Sequence, residues 1–346
     1  MHVTITDVAK KAGVSIATVS RAFNKGDKVK ECTRKRILQI AQQLKYTPNA
    51  AARGLITNRH DAIGLLLPDL HGEFFSEVIR GADKAARAAG YHLIVSSSHD
   101  SQDEIENALR LMRGRLDALV VMSPQIDSGT LLNYIPRALP VVFLNSEVNS
   151  AHYDCISVNG YGGAYDATSY LIGLGHTRIA LIRGCERNRE ALERLYGYRA
   201  ALRDAGLPEQ RHLEWDGDFT EESGFAAAQH IVSMKPRPTA IFASNDTMAI
   251  GAIGALHELG VRIPEDISIC GFDDIPIAQH LRPALTSVHV PIYDLGQMAV
   301  KNIVERIQKG RSGKPLNLVI APTLSVRSSC RRLIQKTKPA KEAVAS

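Results

Sequence analysis

The order of apolar and polar positions divides the chain into a short helical head and a longer region in which strands and helices alternate. In residues 1–60, apolar side chains recur three and four positions apart, which is typical of amphipathic helices. Beyond residue 60, uninterrupted apolar runs alternate with helical patterns, as they do where helices join parallel strands. The pattern therefore predicts an N-terminal all-α head followed by an α/β core.

The first two helices of the head are predicted from their caps. Thr4 stands three residues before Asp7, an arrangement that resembles a capping box, and Gly13 can end the helix with a turn. Ser15 can cap a second helix, in which Val19 and the aromatic residue four positions later point the same way. A third amphipathic helix is predicted over residues 32–44.

Three short helices with a glycine turn between the first two describe a helix-turn-helix. Its second helix presents Ile16, Ala17 and Arg21 on the face opposite to Val19. An arginine can donate two hydrogen bonds to O6 and N7 of guanine, and apolar side chains can pack on thymine methyl groups. Short polar side chains suited to phosphate contacts lie beside them: Thr18, Ser20 and Asn24.

The distribution of charge supports a polyanionic partner for the head. Residues 1–60 contain twelve Lys and Arg against three acids, so the head carries +9 and the remainder −3 within the overall charge of +6. A solvated basic face without a partner is the alternative explanation for such a run of charge. Together with the helix-turn-helix pattern, the charge makes double-stranded DNA the expected partner.

The core is predicted to contain seven buried parallel strands: residues 62–68, 92–97, 118–122, 141–145, 178–184, 239–245 and 267–273. Helical patterns separate the first four strands: residues 73–89, 101–114 and 128–138. Two such blocks predict two doubly wound α/β subdomains with a cleft between them. Because ligands of such sheets bind beyond the carboxyl ends of the strands, the cleft is the expected ligand site.

The run TITDVAKKAGVSIATVSRAFN, followed by LKYTPNAAARGL, resembles the LacI/GalR family of bacterial transcription regulators, and the resemblance extends to about Ser328. It implies a periplasmic-binding-protein-like core whose chain crosses between lobes three times. It also implies a hinge that becomes helical on a pseudo-palindromic operator, where two hinge helices of a homodimer enter the minor groove. Leu55 would open the central base step and Asn49 would cap the hinge helix, whereas Gly54 lowers its helix propensity.

The resemblance also implies the domain boundaries and the contacts. The expected domains are a helix-turn-helix domain at 1–47, a hinge at 48–60, an effector-binding and dimerisation core at 61–330, and a basic disordered tail at 331–346. The core lobes are expected to comprise roughly 61–159 with 292–321, and 160–291 with 322–330. The residues expected to contact DNA are Thr4, Ser15, Ile16, Ala17, Thr18, Ser20, Arg21, Asn24, Asn49, Ala52, Arg53 and Leu55.

Polar and aromatic residues follow several predicted strands and suit a polyhydroxylated ligand. Sugar hydroxyls both donate and accept hydrogen bonds, and aromatic rings cover the apolar side of a sugar. The expected effector-binding residues are Asp69, Phe74, Phe75, Asn145, Arg194, Phe219, Asn245 and Asp273.

Several roles in the cleft stay open at this point. Asp246 is as well placed to cap a helix as to bind ligand, Asp274 can be a turn residue, and Arg187 and Arg189 have no assigned role. A sugar is the favoured effector class and a purine or nucleoside the alternative. Whether the effector releases or tightens the operator is open.

Other classes of function have little support in the sequence. The five cysteines are scattered without metal-ligand spacing, which predicts buried free thiols and no metal. No GxSxG elbow, P-loop or HExxH occurs, so neither an enzyme nor a cofactor is expected. A transport binding protein would need an export signal, and an apolar segment of that kind is missing, which favours the cytoplasm. The C-terminal run lacks a leucine heptad, which favours a dimer.

Overall fold

The computed structural model describes residues 3–24, 28–46, 59–99, 101–125, 128–146, 153–310 and 314–333. The chain forms two compact units, the head Met1–Asp61 and the core Ala62–Ser346.

The head is a bundle of three helices: α1 (Ile5–Ala12), α2 (Ile16–Asn24) and α3 (Glu31–Gln43). Their apolar stripes meet in a small core: Val8, Ala9, Ala12, Val19, Ala22, Ile37 and Ala41. Phe23 is half-buried and its ring meets the Tyr46 ring edge-on at 6.0 Å between centroids. The predicted periodicity is therefore confirmed, and Ala22 is a core residue that the prediction omits.

Local hydrogen bonds fix the starts of α1 and α2. The Asp7 carboxylate accepts hydrogen bonds from the Thr4 backbone N–H (2.9 Å) and hydroxyl (2.7 Å), and these bonds hold the pKa of Asp7 below its ordinary value. Gly13 has a φ of 62° in the turn, and Ser15 Oγ accepts the Thr18 N–H at 3.1 Å. The sharp turn between α1 and α2 thus follows from a left-handed glycine and a serine cap.

The core contains twelve strands among its described residues: β1 (Ala62–Leu67), β2 (His92–Ser97), β3 (Ala118–Met122), β4 (Val141–Leu144), β5 (Asp154–Val158), β6 (Ile179–Ile182), β7 (Glu214–Trp215), β8 (Ala240–Ala243), β9 (Ser268–Asp273), β10 (Thr286–His289), β11 (Asn317–Ile320) and β12 (Thr323–Ser325). Its α-helices are α4 (Glu73–Ala88), α5 (Gln102–Met112), α6 (Ser128–Tyr134), α7 (Gly160–Gly173), α8 (Arg189–Asp204), α9 (Glu221–Ser233), α10 (Asp246–Glu258) and α11 (Ile292–Lys309).

Two six-stranded sheets organise the core. The first has the order β11-β5-β4-β3-β1-β2 and the second the order β12-β10-β9-β8-β6-β7. All pairings are parallel except that of β10 with β12. The chain passes between the sheets three times: after β5, between β10 and β11, and between β11 and β12. This confirms the predicted fold of a helical head and two doubly wound subdomains.

We call the first sheet with its helices α4–α6 and α11 the first lobe, and the second sheet with α7–α10 the second lobe. Helix α11 follows β10 of the second sheet but packs on α4 of the first lobe, with Gly81 against the Tyr293 backbone and Gly296 against the Val78 backbone. This close approach of two helix backbones makes the α4–α11 pair a stiff part of the first lobe.

Two expectations about the core are wrong in detail. The β2 run is not a buried strand, because β2 lies at the edge of the first sheet and its side chains are exposed or half-buried. The tail does not begin at residue 331: the Leu333 N–H donates to the Leu174 carbonyl at 2.8 Å, and the Arg331 N–H donates to Ser268 Oγ at 3.1 Å. Arg331 and Leu333 are thus hydrogen-bonded to the second lobe.

A matched pair of glycines in α10 gives a test of the packing between α9 and α10. A Cβ at Gly251 would collide with the Glu221 carbonyl oxygen, whereas one at Gly254 would lie 3.7 Å from Phe225 Cδ2, an ordinary contact. We expect Gly251→Ala to lower the free energy of unfolding by about 1–3 kcal/mol, as overpacking does. Gly254→Ala should raise it by up to about 1 kcal/mol because alanine favours a helix. Urea unfolding of both variants checks this, and equal effects would contradict the close packing.

Candidate nucleic-acid interface and ligand cavity

The exposed face of α2 carries the side chains predicted to read base edges. Ile16 is 47% exposed, and Ala17 and Arg21 are also exposed. An apolar side chain exposed to this extent, beside an arginine, is suited to a major groove with its thymine methyl groups and guanine acceptors.

Three of the predicted DNA contacts also have structural roles in the head. Ser15 caps α2 and its hydroxyl lies 2.9 Å from the Thr18 hydroxyl, while the Thr4 hydroxyl donates to Asp7. Ser20 is half-buried. Four predicted contacts lie outside the described residues: Asn49, Ala52, Arg53 and Leu55. The same holds for the side chain of Asn24.

Exposed basic residues surround the head, in keeping with its charge: Lys10, Lys11, Arg21, Lys28, Lys30, Lys35, Arg36 and Lys45. Arg34 differs from them, because it is half-buried and its Nε donates to the Ala22 carbonyl at 3.2 Å. Arg34 therefore joins α3 to the end of α2, while the exposed cations are available to phosphates.

A cavity of about 400 Å³ lies in the core, between the carboxyl ends of β1 and β3 in the first lobe and those of β8 and β9 in the second. Seven of the eight residues predicted to bind effector line it: Asp69, Phe74, Phe75, Arg194, Phe219, Asn245 and Asp273. The position agrees with the rule that ligands of parallel sheets bind beyond the strand ends.

Arg194 is the central cation of the cavity and is only 5% exposed. Its guanidinium donates to Asp273 Oδ1 at 3.3 Å and to the Ser244 carbonyl, and lies 3.9 Å from Glu190 Oε1. The guanidinium also covers the Phe272 ring at 3.9 Å from its centroid. Its buried Nε has no hydrogen-bond partner within the described part of the chain.

Burial controls the protonation of the two acids beside Arg194. Burial raises the pKa of Glu190 to about 7, and Arg194 opposes that rise. Burial also raises the pKa of Asp273 to about 6, again against the influence of Arg194. Both carboxyls therefore bind protons at a higher pH in the folded protein than in the unfolded chain.

These raised pKa values predict that stability falls as the pH rises. Between pH 5 and pH 8 the folded protein binds more protons at Glu190 and Asp273 than the unfolded chain does, so deprotonation favours unfolding. We expect the free energy of unfolding to decrease across this range, and Glu190→Gln to flatten the decrease. Urea unfolding at several pH values checks this. Glu193→Gln, one helical turn along, is the control, and a slope unchanged in Glu190→Gln would contradict the assignment.

Asn245 lines the cavity but is already engaged by the protein. Its Oδ1 accepts the Met248 N–H at 2.9 Å and caps α10, and its Nδ2 donates to the Phe219 carbonyl at 3.0 Å. Asp246 is fully buried and does not cap α10, because its carboxylate accepts hydrogen bonds from the Ser287 hydroxyl (2.6 Å) and the Ile275 N–H (2.9 Å). Asn245 is thus the cap of α10, and Asp246 takes neither of the two roles that the sequence suggests for it, because it does not line the cavity.

Asp274 also lies away from the cavity. It pairs with Arg327 at 2.7 Å and with His289 Nδ1 at 3.0 Å, and it accepts from the Ser325 hydroxyl at 2.9 Å. His289 lies on β10, Ser325 ends β12 and Arg327 follows it, so Asp274 connects the segments next to two of the crossovers.

Asn145 is the predicted effector residue that the structure does not bring to this cavity. Its Oδ1 accepts the Val158 N–H at 3.0 Å, and it lines a separate space of about 270 Å³ with Arg189, Glu190 and Glu193. The side chain ties the end of β4 to the end of β5, a use that residue type alone does not reveal.

Several residues of the cavity were missing from the prediction, and two of them lie at the start of α8. Asn188 caps α8 by accepting the Ala191 N–H at 3.2 Å, and Glu190 precedes Arg194 by one helical turn. A capping asparagine before an i, i+4 acid–arginine pair is a signal that the sequence contains. Arg189 pairs instead with Glu193 at 3.0 Å.

Acidic groups outnumber basic ones around the cavity. Six carboxyl side chains line it: Asp69, Glu190, Asp218, Glu221, Glu222 and Asp273. Arg194 and His71 are the basic residues among the described lining. The aromatic rings include the edge-to-face pair of Phe74 and Phe75, with centroids 5.4 Å apart. Such a lining can accept many hydrogen bonds from hydroxyls and repels anions.

The described residues were also compared with the requirements of a membrane span, a metal site and buried thiols. None of the described helices has the length and apolar character needed to span a membrane. In the part of the chain that the structure describes, no cluster of three or more His, Cys, Asp or Glu could hold a metal. All five cysteines are free, but only Cys270 is fully buried and Cys32 is exposed, so the expectation of buried thiols is wrong for most of them.

Known protein families match both units of the chain, the head and the core. Residues 4–49 match the model of the bacterial regulatory proteins of the lacI family, and residues 168–330 match the periplasmic binding protein-like domain. The chain is 37% identical to the HTH-type transcriptional repressor PurR of Photobacterium profundum, over 95% of this chain and 99% of that protein.

Two solved structures extend the similarity to three dimensions. The lac repressor dimer bound to operator and the anti-inducer ONPF superposes with a TM-score of 0.83 at 28% identity, over 96% of this chain and 100% of that one. The complex of the transcriptional regulator CelR with cellobiose gives a TM-score of 0.71 at 31% identity, over 94% and 99% of the two chains. The chain therefore belongs to the LacI family of bacterial regulatory proteins, and it is a DNA-binding transcriptional regulator under the control of a small molecule.

Proposed function

We propose that this regulator represses genes of carbohydrate uptake or catabolism and that a neutral sugar in the core cavity is its effector. The observation that carries the proposal is the lining of the cavity, with six carboxyl groups around one buried arginine and several phenylalanine rings. Hydroxyl groups can donate to the carboxylates and accept from Arg194, and the rings can cover the apolar face of a sugar.

The same lining argues against anionic effectors. A sugar phosphate would bring negative charge close to the carboxylates of Asp69, Asp218 and Asp273, with one arginine to compensate. Arg194 is itself shared by Asp273 and Glu190. The acidic lining therefore favours binding of a free sugar over binding of its phosphate ester.

A purine is the second candidate, because Phe74, Phe75 and Phe219 can stack on a planar base and carboxylates can accept its N–H groups. The sugar is favoured because the lining offers more acceptors than a base has donors.

On DNA, we propose that the protein acts as a cytoplasmic homodimer on a pseudo-palindromic operator. A two-fold dimer places two recognition helices in successive major grooves, which requires matching half-sites. Residues 48–60 would form the hinge between head and core, and no catalytic step is assigned to the chain. The similarity to the operator-bound lac repressor dimer supports this arrangement.

A thermal-shift screen tests the effector class with matched pairs: glucose against glucose 6-phosphate, ribose against ribose 5-phosphate, and cellobiose, adenine and guanine. A ligand at one hundred times its Kd stabilises the folded state by about 2.7 kcal/mol and raises Tm. We expect a neutral sugar to raise Tm and its phosphate to have no effect. A rise with a purine and with none of the sugars would overturn the sugar assignment and favour the second candidate.

A further inference from the structure

We infer that Glu73 is a positioning residue that holds the two lobes closed over the cavity before any ligand binds. The Glu73 Oε2 atom of the first lobe accepts the backbone N–H of Ile277 of the second lobe at 2.8 Å. On another side of the cavity, the carbonyl of Pro124 in the first lobe accepts the N–H of Arg189 in the second lobe at 3.4 Å. Both hydrogen bonds cross the cleft away from the three crossovers.

The two bonds flank the cavity. Gly72 and Phe74, the chain neighbours of Glu73, both line it, and so does Pro124. Asn188 and Glu190, the neighbours of Arg189, line it from the second lobe. Any motion that opens the cavity by separating the lobes must therefore break both bonds together.

Each end of the Glu73 contact is held by a rigid part of its own lobe. Glu73 is the first residue of α4, and α4 packs on α11 through the close contacts of Gly81 and Gly296. Because α4 is fixed in this way, its first residue cannot follow the second lobe when the cleft widens.

The partner end is fixed by the buried acid of the second lobe. The Asp246 carboxylate accepts the Ile275 N–H at 2.9 Å, and Ser287 Oγ accepts the Asp274 N–H at 3.2 Å. These bonds hold the segment that follows Asp273 and presents the Ile277 N–H. A hydrogen bond between two rigid bodies breaks when they separate. The Glu73–Ile277 bond therefore stabilises the closed arrangement of the lobes.

The inference rests on the proposed function for the role of the cavity, but its test needs neither ligand nor DNA. The full chain is compared with Glu73→Ala by hydrogen–deuterium exchange, with single amides resolved by mass spectrometry. Loss of one hydrogen bond is expected to speed exchange at Ile277 about three- to tenfold. The decisive amide is Arg189, across the cavity, whose exchange should rise by a similar factor because both bonds break in one opening.

Three comparisons make the result specific. Glu77→Ala removes an acid one turn along α4 that pairs with Arg80 of the same helix, and it should leave both amides unchanged. Glu73→Gln keeps an acceptor oxygen and should restore part of the protection. The amides of Val120 in β3 and Ile241 in β8 report global unfolding.

The exchange pattern decides the matter. Faster exchange at Ile277 and Arg189, with Val120 and Ile241 unchanged, supports the inference. Faster exchange at Ile277 alone, no change at either amide, or a uniform increase that includes Val120 would overturn it. Because the experiment contains no sugar, a failure of the proposed effector class would leave this outcome unaffected.

Discussion

Replacing Arg194 with methionine is expected to lower the free energy of unfolding of the core by about 3–5 kcal/mol, as removing one partner of a buried ion pair does. The substitution leaves Asp273, whose side chain is 8% exposed, and the adjacent Glu190 without their shared cation. Urea unfolding at pH 7.5 measures the loss. At pH 5.5 the loss should be smaller, because burial raises the pKa of Asp273 to about 6 and that of Glu190 to about 7, so both can then be neutral.

Two further variants separate this effect from a general intolerance of α8. Arg203→Met removes an arginine whose side chain is 70% exposed from the same helix, and it should change stability hardly at all, since exposed ion pairs contribute little. Adding Asp273→Asn to Arg194→Met should recover part of the loss by removing the unpaired charge. Equal effects of Arg194→Met and Arg203→Met would contradict the role of Arg194 as the central cation.

Replacing Arg21 with alanine is expected to weaken binding to a specific duplex about fivefold to more than a hundredfold, the cost of about 1–3 kcal/mol for a bidentate contact to guanine. Arg21 is exposed on the face of α2 opposite to the buried Val19, so its loss should leave the helical head folded. The duplex is obtained by selection from a random pool with the parent protein, and fluorescence anisotropy gives the two dissociation constants.

Lys35→Ala is the matched control, because Lys35 is an exposed cation on α3 and not on α2. A phosphate contact adds affinity for any sequence, so its loss should weaken specific and random duplexes alike and reduce the salt dependence. Loss of Arg21 should mainly remove the preference for the selected duplex. If Arg21→Ala lowered affinity for random DNA by the same factor, its assignment to base reading would be wrong.

The fold could be predicted where the apolar pattern was long and continuous. The predicted run at 118–122 coincides with β3, and the head helices follow their caps at Thr4 and Ser15. Short strands near the crossovers were not predicted. β11 has four residues and β12 has three, so both are too short for a period to stand out in the sequence.

The ligand site could be predicted in position more than in detail. Side chains at strand ends, such as Asp69 and Asp273, come together because parallel strands end at one edge of a sheet. Whether a polar group is free to bind depends on contacts distant in sequence. Asn245 is engaged by Phe219, and Asn145 by Val158, and no local pattern shows either bond.

Reciprocal titration shows whether the cavity of the core and the DNA-binding head are thermodynamically coupled. The Kd of the selected duplex is measured with and without the neutral sugar that gives the largest rise in Tm, and the Kd of that sugar is measured with and without the duplex. Coupling between the cavity and the head requires both constants to change by the same factor, and that factor to differ from one. Two constants that stay unchanged would contradict it.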